Sequence, residues 1–254
     1  MNRTVLIAVT SAALAVAAGQ DEVVPTEPQW WKGNTHTHTL WSDGLSAPET
    51  VVDWYRAHDY DFLVLSDHNH MQTEERWFTV DDGRLQPEDV DELKSIFGDR
   101  AVETRDWNGQ PQMRLQTLTE LQLRFARPGE FLLIPGEEIT CNYRRKTESG
   151  FHDHPIHVNA INLATTIPPR GGDSPADLMN AIVRDVNEHA ATHQRSVLSH
   201  VNHPIENAAL SVQDIASLTG DRFFEIHNGL RSCPSQAEGD DPSIEDWWGE
   251  ANTI

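Results

Sequence analysis

His36-Thr37-His38 is the stretch of this sequence best suited to chemistry. On a strand, side chains two apart point to the same side, so both imidazoles can face one cation. Asp43 follows in Ser42-Asp43-Gly44, a turn able to bring its carboxylate back to the same place. One H-x-H pair is a weak signal alone, but the pattern recurs. Asp67-His68-Asn69-His70 closes a second apolar run, Glu138 closes a third, His157 lies on a fourth, and His203-Pro204 closes a fifth. Imidazole and carboxylate without thiolate make the donor set for zinc, manganese or iron. In parallel α/β folds, side chains at the C-terminal strand ends converge on one mouth. Most of the 13 histidines sit at such ends.

The other reactive side chains have plainer readings. His200 lies three residues before His203 and is equally a ligand or a neighbour that orients one. His152 and His154 flank Asp153 in a polar stretch and read as solvated. His189 and His193 are four apart on a helix, but the stretch is not H-E-x-x-H and reads as helix surface. His58 reads as solvated or as meeting the negative end of a helix. Cys141 and Cys233 fit buried or disulfide-bonded thiols better than a nucleophile, and spacing does not establish that they pair. Trp30, Trp31, Trp107, Trp247 and Trp248 read as packing groups.

The elements that must position these residues are short apolar strands and amphipathic helices. Phe62–Leu65, Phe131–Ile134, Ile156–Leu163, Val197–Ser199 and Phe223–Ile226 suit buried strands. Ser46-Ala47-Pro48-Glu49 predicts a capping box at a helix start, and Ser174-Pro175-Ala176-Asp177 opens another helix in the same style. Met113–Phe125 carries Leu115, Leu118, Leu121 and Phe125 at helical spacing. Alternating strands and helices imply βα units in a parallel barrel or doubly wound sheet. Residues 71–129 predict an elaborated loop with at least one helix beside the site.

Bulk properties narrow the function. A formal net charge of −21 disfavours nucleic acid as a partner. Asn2-Arg3, the uncharged stretch Thr4–Ala18 and Ala15-Val16-Ala17 read as a signal peptide over 1–18, with the functional domain over 21–254. The apolar run is too short for a stable membrane span. The protein is therefore expected to be exported, periplasmic or secreted.

The ordered series His36-Thr37-His38, Ser42-Asp43-Gly44, Ser66-Asp67-His68-Asn69, Pro135-Gly136-Glu137-Glu138 and His203-Pro204 resembles the polymerase-and-histidinol-phosphatase (PHP) superfamily. Trp31-Lys32-Gly33-Asn34-Thr35-His36 and Asn202-His203-Pro204 look most like its carbaryl-hydrolase-type branch. The resemblance implies an α/β fold, a distorted (β/α)7 barrel, with two or three divalent ions, zinc first and manganese or iron as alternatives. By the same resemblance His36 and His38 hold one metal, Glu138 bridges two, His157 and His203 complete the second, and Asp43 and His68 hold the third. Asp67 would orient an imidazole. Glu138 is preferred to Glu137 on the family's Gly-x-Glu spacing. The family's late Asp-x-His pair has no match after His203, since Glu225-Ile226-His227 carries the wrong carboxylate and comes early. The chain is thus expected to lack the last C-terminal unit or units.

The expected chemistry is hydrolysis of a small molecule by a metal-bound hydroxide, with Asp67 or His200 shuttling a proton. A phosphoester is the first substrate class, and a carbamate, ester or amide the alternative. Arg144, Arg145 and Lys146 would hold a phosphate or form an ordinary exposed basic loop. A non-catalytic metal-binding module and a thiol enzyme using Cys141 are the rival classes.

Overall fold

The computed structural model describes residues 28–147, 150–205, 210–220, 223–229 and 249–251. The chain divides into residues 1–30 and 31–254, and every element below belongs to the second unit. The expected signal segment, Cys233, Trp247 and Trp248 lie outside the described residues.

Two sheets organise the unit. The larger has six strands in the order β1 (Gly33–Asn34), β2 (Phe62–Leu65), β6 (Leu132–Thr147), β7 (Gly150–Ile161), β8 (Leu198–Val201) and β9 (Phe223–Phe224). β1, β2 and β6 run parallel, β6–β7 and β7–β8 antiparallel, and β8–β9 parallel. A flat sheet of six strands would set its edges about 24 Å apart. Here His36, just after β1, and Glu225, just after β9, meet at 3.0 Å. The sheet therefore curls into a half-barrel.

This mixed sheet corrects the expectation of seven parallel βα units for the described residues. β6 and β7 form one long hairpin, with Glu138 opposite Asn159 and Thr140 opposite His157. A hairpin forces the second strand to reverse, so His157 lies within a strand and not at a parallel strand's C-terminal end.

Helices cover the sheet. α1 (Pro48–Ala57) and α3 (Leu118–Phe125) pack on β2 and β6 through Val52, Leu63, Leu65, Leu121, Phe125 and Leu133. α4 (Pro175–His193) lays Leu178, Met179, Ile182 and Val186 against Ile139, Ile156, Val158 and Val201. Its Ser174 cap forms as expected, accepting the Asp177 N–H at 3.1 Å. The short α5 (Val212–Ala216) packs into the same core.

Three local expectations change. α1 begins one residue later than its capping signal: the cap is Ala47, with no side-chain bond, and Pro48 opens the helix. Met113–Phe125 is not one helix, because 110–114 form β5 and the helix starts after Thr117. The backbone instead obeys the Thr117–Glu120 capping box. The expected loop over 71–129 is a small layer of its own, with the antiparallel sheet β3 (Trp77–Thr79), β5 (Gln110–Arg114), β4 (Thr104–Trp107) and α2 (Pro87–Phe97). Asn108-Gly109 turns the β4–β5 hairpin with φ of 54° and 77°, the positive values a two-residue turn demands. Trp30, Trp31 and Trp107 are more than half exposed, whereas Trp41 is fully buried.

Candidate metal centre

The ladder of the large sheet continues past its strands and aligns the site residues in one row. Ser66 N–H donates to Thr37 O at 2.9 Å, Glu138 N–H to Ser66 O at 3.1 Å, Asn202 N–H to His157 O at 3.0 Å, and Glu225 N–H to Val201 O at 2.8 Å. Side chains alternate across the sheet, so of two adjacent glutamates only one can face inward. Glu138 faces the histidines, while Glu137 turns to the other side and accepts the Ile167 N–H.

Glu138 is fully buried and forms the hub. Its Oε1 lies 3.2 Å from His36 Nε2, 3.2 Å from His157 Nδ1 and 3.4 Å from His203 Nε2. Its Oε2 lies 3.0 Å from His38 Nε2 and 2.9 Å from His68 Nδ1. Asn202 Nδ2 also donates to Oε1 at 2.6 Å and to Asn159 Oδ1 at 2.8 Å. Asp43 joins from the rim, its Oδ1 2.7 Å from His38 Nδ1 and its Oδ2 3.4 Å from His68 Nε2. Gly44 makes that return possible: a β-carbon there would sit 2.5 Å from the Thr39 nitrogen. All seven expected ligands, His36, His38, Asp43, His68, Glu138, His157 and His203, therefore share one neighbourhood. They line an open cavity of about 600 Å3, whose further wall includes Leu45, Val51 and Tyr55.

Electrostatics follow from the crowding. Burial alone would push the Glu138 carboxyl up, but His157, His203, His36 and His38 hold it well below the usual carboxylate range. Burial would lower His36, yet Glu138 and Glu225 raise it to about 9. His38 and His68 are likewise disfavoured as cations by burial and raised to about 9 by Asp43 and Glu138. The two hydrogen bonds from these rings hold Asp43 well below its ordinary range. Any cation entering here must displace protons from imidazoles.

The donors fit a divalent cation. Among the described residues, two groups bring one ligand atom per residue within 4.8 Å of each other: His36, Glu138 and His203, and His38, His68 and Glu138. Glu138 belongs to both. His38 Nε2 and Glu138 Oε2 are buried and face each other at 3.0 Å without good hydrogen-bond geometry. His157 Nδ1 and His203 Nε2 lie 3.1 Å apart, so one of these two nitrogens must expose a lone pair or both must compete for one proton. Uncompensated polar atoms at this density call for a shared cation. His36 and His38, expected to share one metal, fall in different groups.

Other residues take different places. Asp67 is fully buried; it accepts Thr39 N–H and Ser42 Oγ–H at 2.7 Å on Oδ1, and Thr39 Oγ1–H at 2.9 Å and Gln72 Nε2–H at 2.8 Å on Oδ2. These bonds anchor the loop carrying Asp43, and none of them comes from an imidazole. His200 is buried on β8, outside the cavity lining, and neither ring nitrogen meets a hydrogen-bond partner. Burial, then the charge of His36, lowers it to about 4. A buried neutral ring away from the cavity is poorly placed as a proton shuttle. His70 accepts from Arg76, His58 stacks on Trp54, and His189 accepts the Ala164 N–H. Cys141 Sγ is buried and accepts the Arg170 N–H, and burial raises its thiol, which argues against a thiol nucleophile. Arg144 lies 3.7 Å from Asp153 on the hairpin, while the side chains of Arg145 and Lys146 are outside the described ones.

Glu225 and Asn202 were not expected in the site. The signal for Glu225 was present in Glu225-Ile226-His227, but only the chain's curl reveals that its carboxylate reaches His36. His227 is exposed. Among the described residues no helix is long and apolar enough to cross a membrane.

No family model and no curated protein matches the chain. Among solved structures it is similar to a two-domain protein from Bacteroides vulgatus containing a "predicted PHP-like metal-dependent phosphoesterase". Identity is 22%, the TM-score 0.36, and the match covers 70% of this chain and 36% of that one. This chain thus aligns with about a third of the length of that structure.

Proposed function

We propose that this chain is a metal-dependent hydrolase of the PHP type, acting on phosphoester bonds. One observation carries the reading: a single buried carboxylate, Glu138, presents each oxygen to its own set of imidazoles. That arrangement suits two ions sharing one bridging ligand, with His36, His203 and His157 on one side and His38 and His68 on the other. Asp43, at the rim, would serve the second side or a third ion. Held by these residues, divalent ions would supply Lewis-acid chemistry and would acidify water enough for attack near neutral pH. The protein's own part would be to hold the ions and to receive the substrate at the open cavity. Asn202 fixes the hub by donating to Glu138 Oε1.

A second substrate class has a specific observation in its favour. Leu45, Val51 and Tyr55 give the cavity an apolar wall, which suits the aryl group of a carbamate or ester. The test compares hydrolysis of an aryl phosphomonoester, an aryl phosphodiester and an aryl carbamate after loading with zinc, manganese or iron. Metal-dependent turnover of the phosphoesters is expected, abolished by His36→Ala together with loss of bound metal. Turnover of the carbamate alone moves the assignment to the second class. Metal bound without turnover of any of them leaves a metal-binding module. The stretch 1–18 is read as an export signal, and the mass of the mature protein tests it.

A further inference from the structure

His36 is held from both sides. Its Nε2 lies 3.2 Å from Glu138 Oε1, and its Nδ1 lies 3.0 Å from Glu225 Oε1. The other oxygen of Glu225 accepts the backbone N–H of His203 at 2.9 Å and the side-chain N–H of Asn228 at 3.1 Å. Only 12% of the Glu225 side chain is exposed.

The geometry points to Glu225 as the positioning residue of one half of the metal centre: it fixes the His36 ring and the His203 backbone so that both turn Nε2 toward Glu138 Oε1. The inference rests on the metal-centre reading above. An ionised carboxylate can only accept hydrogen bonds. When His36 gives one nitrogen to a cation, its remaining proton must therefore sit on Nδ1, facing Glu225. The lone pair is left on Nε2, the atom grouped with Glu138 and His203 within 4.8 Å. A ligating histidine usually hands its other N–H to such a partner, which fixes tautomer and ring orientation and strengthens the ligand.

The second oxygen does a separate task. His203 has a positive φ of 25°, a backbone state that residues with a β-carbon rarely adopt. The bond from its N–H to Glu225 is a contact that holds this turn and hence the direction of its ring. Glu225 follows β9 and His36 follows β1, the two edges of the sheet. One carboxylate thus ties the curl of the sheet to the placement of two ligands. It is not itself a ligand, because the His36 ring stands between it and Glu138. Among the described residues Glu225 belongs to neither group able to hold an ion.

Glutamine is the informative replacement. It has the same shape but one acceptor oxygen and one donor nitrogen. Whichever way the amide turns, it sets an N–H against a donor, at His36 Nδ1–H or at His203 N–H. Glu225→Gln should therefore disturb ligand orientation with little change in packing.

Zinc content by elemental analysis and zinc affinity by chelator competition test this, with circular dichroism and thermal melting as fold controls. The parent should bind two zinc equivalents. Glu225→Gln should fold like the parent and bind one equivalent about 10–100-fold more weakly, the other unchanged. Equal binding of both by the folded variant overturns the inference and leaves the metal reading intact. A parent that binds no zinc overturns both. If Glu225→Gln does not fold, nitrogen-15 resonances of His36 in the zinc-loaded parent decide. Zinc on Nε2 with a proton on Nδ1 supports the role, and zinc on Nδ1 overturns it.

Discussion

Glu138 and Glu49 are both fully buried, yet their surroundings drive them in opposite directions. Glu138 sits where five imidazoles and Asn202 converge, and those groups overcome the cost of burial and keep it ionised. Glu49, in the first turn of α1, meets no hydrogen-bond donor of another residue on either carboxylate oxygen. Burial raises it to about 7, and its own backbone N–H, Arg124 and Arg114 offset that only in part. Glu137 falls between them: burial lifts it to about 7 against a single N–H from Ile167. Depth sets the cost of a charge, but partners decide whether the charge survives. A buried carboxylate that stays ionised among imidazoles is a place built for a cation. A buried carboxylate without partners is a weakness in the fold.

The sharpest way to break this contrast is Glu138→Gln. It removes the charge and one of the two acceptor oxygens of the residue common to both ligand groups. Bound zinc should fall to near zero, and metal-dependent hydrolysis should drop by about 10³-fold or more. Elemental analysis and turnover measure the two effects. Retention of one full zinc equivalent would show that the halves do not depend on a shared hub.

Glu49→Gln should do the reverse, sparing metal and activity while changing stability. In the folded protein Glu49 holds its proton up to about pH 7, against an ordinary value near 4.5. Its contribution to stability is therefore present below pH 4.5 and is lost as pH rises through 7. The full swing is about 3 kcal/mol at most. Urea unfolding of parent and variant should give similar stability at pH 5 and favour the variant at pH 8. A difference that stays constant from pH 5 to 8 would show that Glu49 has a partner in solution.

Both glutamates bear on what the sequence could reveal. The clustering of these side chains was legible because imidazoles follow apolar runs, and strands carry their ends to one rim. His36, His38, His68 and His203 needed only that rule, while the choice of Glu138 over Glu137 took the family's Gly-x-Glu spacing. The reversal of β7 was not legible: a continuous apolar run looks the same in either direction, so His157 was placed by the right strand with the wrong polarity. Glu225 was not legible because its reach depends on curl across six strands, a property no local window contains. Glu49 shows the cost of a one-residue error. Ser46-Ala47-Pro48-Glu49 matches a capping box, but Pro48 sets the helix start so that Ala47 is the cap. The carboxylate that should have reached back to a backbone N–H goes into the core instead. Asp67 shared the motif of His68 but points to the Thr39–Ser42 loop, since neighbours on a strand face opposite ways.

Glu120 supplies the remaining corner of the comparison: a carboxylate well partnered but only half-buried. It accepts both Arg114 guanidinium nitrogens, at 3.0 and 2.7 Å, and the Thr117 N–H and hydroxyl at 2.8 Å. The Arg114 bonds, against a smaller cost of burial, lower it to about 2. A lowered carboxylate stabilises above its unfolded value near 4.5 and loses that effect as pH falls through 2. Its side chain is 40% exposed, so solvent screens the pair and most of the nominal gain is lost. Glu120→Gln should therefore cost only about 1 kcal/mol at pH 7, cap and ion pair together. The cost should shrink with added salt and vanish near pH 2. A cost at pH 7 as large as the Glu49 swing would mean that partners matter as much at the surface as in the core. It would then be burial, not the company of imidazoles, that sets Glu138 apart.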